Sequence, residues 1–514
     1  MRKKLIGLLL VISLLVTCTP VAAKTPTIKL GNEMLLERYR EIIRGKRVGL
    51  ITNQSGVNSK GQSLIDILAA ADDFQLTALY APEHGIDGKA KAGEYVASTT
   101  HPTLGIPIYS LYGASRKPAD YMLSNIDVLL FDLQDIGARS YTYISTMNYA
   151  MQAAKENGKL FVVLDRPNPL GGVIVDGPVL EDPYETFVGV DKLPMTHGMT
   201  IGELALYFNQ EIGANLKVIP MQGYTRSMIF QDTGLNWVPT SPNIPDLEAV
   251  FGYPATGLGE GTGVYQAEKF RWIGGKNINA ARLAELMNNA GLPGVRFIPE
   301  YKGSAGGVKL QITNYHTFNP ARTGIYALAY ARILSNFKVP KSTTKNMVMF
   351  DKIMGTNKMG QWLEQKLTPW SIYMNYLPGL NQFKAQREKY LIYDDVPFVD
   401  IKVIINGRTI DFDSAPYIDS QDRTMVPLRA IGEALGAQVD WHEPTRKVTV
   451  SKNGRTVIFT IDKNTAQVND WLQTMDTTPV IKKSRTMIPL RYVGEYLGAQ
   501  VDWDGGNYIV TVNQ

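Results

Sequence analysis

Between residues 40 and 170, short and nearly continuous apolar runs alternate with segments whose apolar positions recur every three or four residues. RVGLITN (47–53), FQLTALY (74–80), IDVLLFDL (126–133) and LFVVLD (160–165) have few interior polar positions, as strands of a parallel sheet covered on both faces require. Between them, Leu64, Leu68 and Ala71 share one helical face, and Tyr143, Met147, Ala150, Met151 and Ala154 share another. The alternation predicts an α/β subdomain over 24–175, a parallel sheet with crossover helices. From 176 to 395, helical stretches such as MTIGELALYFNQEIG and ARLAELMNNAG mix with strands such as VKLQITN and many prolines, which predicts a second, smaller α/β subdomain. The tail differs in kind. RTMVPLRAIGEALGAQVDW (423–441) returns as RTMIPLRYVGEYLGAQVDW (485–503), so a small α+β unit is duplicated within 396–514.

The first residues change the picture of where the chain works. A basic end, an apolar run from Leu5 to Val16 and the small residues Ala22 and Ala23 read as an export signal over 1–23. That run is shorter than the roughly 20 residues a membrane span needs, and no later apolar run reaches that length, so the mature chain is expected to be secreted without an integral membrane segment. Acylation of Cys18 would make it a lipoprotein, but the preceding Thr17 disfavours that route. Cys18 is the only cysteine, so a chain cut after Ala23 forms no disulfide and depends on packing. The formal charge of +5 includes Arg2, Lys3 and Lys4 of the signal; what is left is nearly balanced, and nucleic acid is not an expected partner.

Open parallel sheets bind ligands beyond the carboxyl ends of their strands, where loops diverge and helix N-termini offer N–H donors. All four predicted strands end in polar residues: Asn53 and Gln54; Glu83 and His84; Asp132, Gln134, Asp135, Arg139 and Tyr141; Asp165, Arg166 and Asn168. No G-x-G-x-x-G or P-loop follows the first strand, and GLGEGTG (257–263) misses the dinucleotide spacing, so no cofactor is expected. Histidines 84, 101, 197, 316 and 442 are scattered without metal-ligand spacing, and no metal is expected. No G-x-S-x-G elbow is present either. The inventory suits acid–base chemistry on a polyhydroxylated ligand. A carboxyl packed under a sheet edge can hold a proton for a leaving oxygen, and Glu83 fits that part, with His84 orienting it or capping a turn. The bland alternative is that Glu83 caps a helix or pairs with Lys89 or Lys91.

The series T-N-Q-S-G, A-P-E-H-G, F-D-L-Q-D-I-G-A-R-S-Y-T-Y, L-D-R-P-N-P-L-G-G, D-G-P, H-G-M-T-I-G-E-L and S-P-N-I-P, in that order from about 35 to 394, resembles the exo-β-N-acetylmuramidase family of the NamZ type. The resemblance implies a cleft between a Rossmann-like subdomain and a smaller one, and release of N-acetylmuramic acid from the non-reducing ends of peptidoglycan fragments. It carries the catalytic glutamate onto Glu83, with His84 beside it, and makes Asn53, Gln54, Asp132, Gln134, Asp135, Arg139, Tyr141, Asp165, Arg166, Asn168, Asn243 and Glu260 expected substrate-binding residues. Arg139 or Arg166 is expected to hold the lactyl carboxylate. A second carboxylate would come from Asp132, Asp135, Asp165 or Glu260, unless the substrate's acetamido group acts instead. The chain departs from the family pattern at Ser140, at Asp87 and in a short 261–275 stretch.

The segment 396–514 resembles the copper amine oxidase N-terminal-like stalk modules of exported Gram-positive proteins. With His442 as its one histidine and no cysteine it offers no recognisable copper site; cell-wall association is the expected role, with Trp441 and Trp503 in the core. Two other readings stay open: a non-catalytic wall-glycan-binding protein, and a metal-dependent amidase or deacetylase.

Overall fold

The computed structural model describes residues 28–394, 401–410, 412, 416–419, 423–482, 485–504 and 508–514. The expected signal over 1–23 and Cys18 lie outside the described residues.

The strands of the first sheet are β1 (Arg47–Thr52), β2 (Gln75–Ala81), β3 (Thr99–Thr100), β4 (Pro107–Ser110), β5 (Val128–Asp132), β6 (Leu160–Leu164) and β7 (Leu216–Ile219). They lie in the order β3-β4-β2-β1-β5-β6-β7, and every pairing is parallel except that of the short β3 with β4. The four predicted strands are all present at the centre. Alternation along each strand serves both faces. Leu129, Phe131, Phe161 and Val163 pack with the helices Tyr143–Glu156 and Ile201–Ile212, whereas Val128, Leu130, Val162 and Leu164 pack with Gly31–Arg38 and Leu64–Ala69. The order reverses between β1 and β5, so the loops leaving β1, β2 and β5 part from one another at the same edge.

The expected subdomain boundary at 175/176 falls inside this sheet, because the helix Ile201–Ile212 and β7 return to it. The helix begins with a complete capping box, Thr200 with Glu203, and stops at the left-handed Gly213, which turns the chain back into β7. The second unit starts with the helix Leu247–Thr256 and builds an antiparallel sheet from β8 (Val264–Ala267), β9 (Trp272–Lys276), β10 (Val295–Lys302) and β11 (Ala305–Ile312), in the order β10-β11-β9-β8. One continuous core joins both units, from Met147 through Phe251 to Phe383.

The C-terminal module has its own core. Its strands Thr424–Pro427 and Arg485–Pro489 pair antiparallel as Met425↔Pro489, Val426↔Ile488 and Pro427↔Met487. Equivalent residues of the two repeats thus exchange places across the pair Val426–Ile488, which puts a local two-fold axis there. The equivalent helices Leu428–Ala434 and Leu490–Tyr496 follow these strands.

Candidate functional site

Pro82 ends β2 because it has no N–H to continue a ladder, and the chain then turns through His84 (φ 74°) and Gly85 (φ 77°). A histidine in the left-handed region is strained by roughly 1–3 kcal/mol, so something must hold it. Its ring nitrogen Nδ1 lies 2.7 Å from the Ala90 carbonyl, and its own carbonyl accepts from Ala90 N–H at 3.1 Å. A carbonyl only accepts, so Nδ1 carries the proton. His84 therefore pins the 84–93 loop rather than touching the carboxyl of Glu83, and the loop in turn delivers Gly93 N–H to Glu83 Oε1 at 2.8 Å. The other oxygen accepts from Thr142 Oγ1 at 2.5 Å, at the start of the helix Tyr143–Glu156. Glu83 is 8% exposed, and Lys89 is paired with Asp87. The helix-cap and lysine-pair alternatives for Glu83 give way to a carboxyl clamped by one loop N–H and one hydroxyl.

Three tyrosines surround this carboxyl. Tyr112, Tyr143 and Tyr253 all have their hydroxyls pushed up by burial, with the Glu83 charge adding to the effect, Tyr253 to about 12 and Tyr143 well above its ordinary value. They keep their protons at neutral pH, and two of those protons are already committed: the Tyr143 hydroxyl donates to the Thr240 carbonyl at 2.6 Å and the Tyr253 hydroxyl to the Ser140 carbonyl at 3.3 Å. Tyr141 extends the aromatic wall, 4.8 Å from Tyr143 and 5.9 Å from Tyr253 between ring centroids, and donates to Thr240. Asn53 supports the same wall by donating to the Tyr143 hydroxyl at 2.8 Å. Gln54 reaches across to the Pro239 carbonyl, and its amide lies so close to Gly88 (φ 70°) that a Cβ there would come within 2.1–2.4 Å of it. The Ser140 hydroxyl lies 3.3 Å from the Tyr253 hydroxyl, which donates to the Ser140 carbonyl at 3.3 Å.

Several expected substrate contacts belong instead to the scaffold. Asp132 is fully buried, ion-paired to Arg166 Nε at 2.6 Å and approached by Asn32 Nδ2 at 3.1 Å; Arg166 also donates to the Val57 carbonyl. Asp165 is saturated: Arg166 N–H, Gly202 N–H, the Thr200 hydroxyl and the Tyr393 hydroxyl all donate to it at 2.6–2.9 Å, and burial raises its pKa to about 7. Asn168 bridges Met199 and Leu170 through its amide. Arg139 donates to three carbonyls, of Pro178, Leu193 and Ile353, and ties the first unit to the second; its Nε has no partner among the described residues, but the side chain is 1% exposed and so out of reach of a lactyl carboxylate, and burial lowers its pKa to about 9. Asn243 and Glu260 are exposed side chains. Gln134 donates to the Asp135 and Pro167 carbonyls and, with Arg166, Ser55 and Phe230, borders a small cavity whose walls share no residue with the surroundings of Glu83.

Asp135 stands apart. One oxygen accepts Gly137 N–H at 2.7 Å, the other has no partner among the described residues, and His197 Nε2 lies 3.8 Å away, fully buried and likewise without a hydrogen-bond partner among them. Desolvation pushes Asp135 up to about 7 and His197 down to about 3, so at pH 5 both are neutral. Because the folded carboxyl keeps its proton where the unfolded one, near 3.9, has lost it, the stability Asp135 contributes is complete below about pH 4 and is lost as pH rises through about 7. Asp135→Asn is therefore expected to gain thermal stability over the unmutated protein progressively from pH 4 to pH 8. Thermal melts at pH 4, 6 and 8 check this, and a difference that does not grow with pH would refute it.

Thr142, Gly93, Tyr112, Tyr253 and Thr240 were not singled out by the sequence. Thr142 alone carried a signal, as a hydroxyl residue just before a helical apolar period. Among the described residues, no three His, Cys, Asp or Glu side chains gather as a metal cluster, and no helix is long and apolar enough to cross a membrane.

This architecture has relatives. The chain matches the family models for exo-beta-N-acetylmuramidase NamZ, N-terminal, over 48–248 and C-terminal, over 251–393, and the copper amine oxidase N-terminal domain over 404–512. The junction of the first two lies where the second unit begins. A peptidoglycan beta-N-acetylmuramidase NamZ from Bacillus subtilis (strain 168) is 44% identical over 386 residues, 72% of this chain and 92% of that protein. A protease inhibitor of Brevibacillus choshinensis is 27% identical over 106 residues, 21% of this chain and 32% of that protein. Two crystal structures of DUF1343 family proteins from Bacteroides fragilis cover 72% of this chain each, and 99% and 100% of their own, with TM-scores of 0.65 and 0.56 at 37% and 28% identity. With both NamZ models spanning 48–248 and 251–393 and a relative this similar, the chain belongs to the exo-β-N-acetylmuramidase NamZ family.

Proposed function

We propose that this protein is an exported, exo-acting glycoside hydrolase that releases N-acetylmuramic acid from the non-reducing ends of peptidoglycan fragments, with Glu83 as the general acid. One observation carries the assignment of the residue: Glu83 is a nearly buried carboxyl, oriented by Gly93 N–H and the Thr142 hydroxyl and ringed by protonated tyrosines at the edge where parallel strands end. A pyranose offers C–H faces to such rings and hydroxyls to their phenols, and the glycosidic oxygen takes the proton as the bond to the anomeric carbon breaks. Family membership and the peptidoglycan substrate named for the Bacillus relative support the substrate class. Export rests on residues 1–23, and wall association on the C-terminal module.

The test is incubation of purified protein with a nitrophenyl N-acetylmuramide and with muramic acid-ended fragments. Release of the sugar, unaffected by a chelator, is expected. Binding without release would make the protein a glycan receptor, and chelator-sensitive release of an amine or acetate would make it an amidase or deacetylase.

With Arg139 engaged elsewhere, the lactyl carboxylate is assigned to Arg116. This guanidinium is exposed and stacked 4.6 Å from the ring of Tyr112 and 4.3 Å from Phe187, and the Tyr112 phenol in turn neighbours Glu83. A charge-assisted hydrogen bond of about 1.5–3 kcal/mol is at stake, so Arg116→Ala is expected to weaken inhibition by free N-acetylmuramic acid about tenfold or more while leaving inhibition by N-acetylglucosamine, which lacks the lactyl group, unchanged. Equal weakening of both would remove Arg116 from the lactyl subsite.

A further inference from the structure

Trp441 and Trp503 do not behave as core residues. Trp503 is 39% exposed, and Trp441 is half-buried, packed against the edge of the module's core rather than within it. Each forms part of a groove, and eight lining positions of the two grooves are equivalent in the two repeats. Trp441, Leu428 and Arg429 of the first repeat meet Arg485 and Thr486 of the second; Trp503, Leu490 and Arg491 of the second meet Arg423 and Thr424 of the first. Every member of one set lies 62 positions from its counterpart in the other. The crossing follows from the local two-fold axis at Val426–Ile488, which brings the strand of each repeat alongside the Pro-Leu-Arg corner of its neighbour. Both tryptophans sit on equivalent hairpins, Trp441 opposite Val448 and Trp503 opposite Val510, so their rings occupy related positions beside the two corners.

The structure assigns to this module a pair of equivalent saccharide-binding grooves, each floored by one tryptophan and rimmed by arginines, that take two separate segments of wall glycan. A flat indole flanked by guanidinium and hydroxyl donors fits a pyranose, whose C–H face stacks while its equatorial oxygens and any carboxylate meet the rim. The groove around Trp441 also contains Glu433 and Glu443, with Glu443 accepting from the indole N–H, and in the other Asp476 holds Arg423 and Glu495 lies near Arg491; the rims are of mixed sign, suited to hydroxyls as well as to anions. The duplication says that the ligand also repeats. A glycan strand has a direction, and a two-fold axis reverses it, so one strand cannot run through both grooves in the same sense. Two strands, or two segments of a mesh, can. Occupying both grooves at once raises affinity for the insoluble polymer far more than for a soluble fragment, by factors of 10²–10⁴ where the geometry permits. The choice of wall glycan rests on the muramidase reading above, since a module on the same chain would hold the enzyme at its substrate.

The experiment uses the full chain and purified insoluble peptidoglycan in a sedimentation assay, with the nitrophenyl N-acetylmuramide assay run in parallel. Trp441→Ala and Trp503→Ala are each expected to lower retention at least tenfold, and the double variant to abolish it, with hydrolysis of the small substrate unchanged throughout. Because Trp441 touches the core, Arg429→Glu with Arg491→Glu, both exposed side chains, serves as the second test and is expected to lose retention without loss of melting temperature. Unchanged retention in both double variants overturns the proposal, as does retention competed by a proline-rich peptide and not by soluble glycan. If no variant and not even the unmutated chain hydrolyses the small substrate while the tryptophans still govern retention, the muramidase reading falls and the grooves stand.

Discussion

Glu83→Gln is expected to lower kcat on a muramic acid-ended disaccharide by about 10²-fold or more, with the melting temperature little changed. The amide has the shape of the carboxyl and can still accept Gly93 N–H, while its NH₂ can face Thr142 Oγ1, so both contacts that orient residue 83 have a substitute. What it lacks is a proton to give. The size of the loss should therefore depend on the leaving group. A sugar alkoxide departs poorly without protonation, whereas nitrophenolate departs without help, so the variant should be much less impaired on the nitrophenyl glycoside than on the disaccharide. Equal losses on the two would move Glu83 from general acid to base or nucleophile, and wild-type rates on both would remove it from the chemistry. His84→Ala offers a contrast within the same motif, because His84 reaches Glu83 only through the loop it holds at Ala90.

The difference between these neighbours was not legible in the sequence, and the reason is physical. The four central strands could be read because each is covered on both faces and so carries an unbroken apolar run. β4, PIYS, and β7, LKVI, are four-residue strands near the edges of the sheet, with exposed or half-buried positions, and left no comparable trace. The 175/176 boundary expected from the sequence falls short for the same reason: β7 leaves no pattern to show that the chain returns to the sheet after the helix Ile201–Ile212. For the site, the sequence identified the loops and not the duties within them. A polar residue after a strand has the same appearance whether it faces a ligand or a partner from far along the chain. Asp165 is completed by Tyr393, 228 positions away, and Arg139 by the Ile353 carbonyl, 214 positions away. Only the fold brings those partners, and they turn expected ligand contacts into braces. Trp503 failed in the opposite direction, since the alternation of Gln-Val-Asp-Trp shows which side of the strand the ring shares with Val501 but not how deeply that side is covered.

Asp132→Ala is expected to destabilise the protein by about 3–5 kcal/mol, the cost of leaving a buried charge without its partner. Asp132 is wholly enclosed and Arg166 is 4% exposed, so bulk water does not solvate the orphaned guanidinium, which would keep only its bond to the Val57 carbonyl at 2.7 Å. Asn32, which donates to both Asp132 and Val57, would lose one of its two acceptors and loosen the helix Gly31–Arg38 on the sheet. The pair lies at the end of β5 and β6, where a ligand contact was expected, and the two roles predict different measurements. A substrate ligand changed to alanine raises KM and leaves the melt alone; a brace lowers the melting temperature and lowers kcat and the folded fraction together. Replacing both members, Asp132→Leu with Arg166→Met, should recover much of the lost stability, because removing a buried pair altogether costs far less than orphaning one half of it. Recovery in the double variant with an ordinary KM would make Asp132 and Arg166 part of the frame that carries the Thr142 and Glu83 loops, while a single variant that melts normally and binds substrate weakly would return them to the substrate.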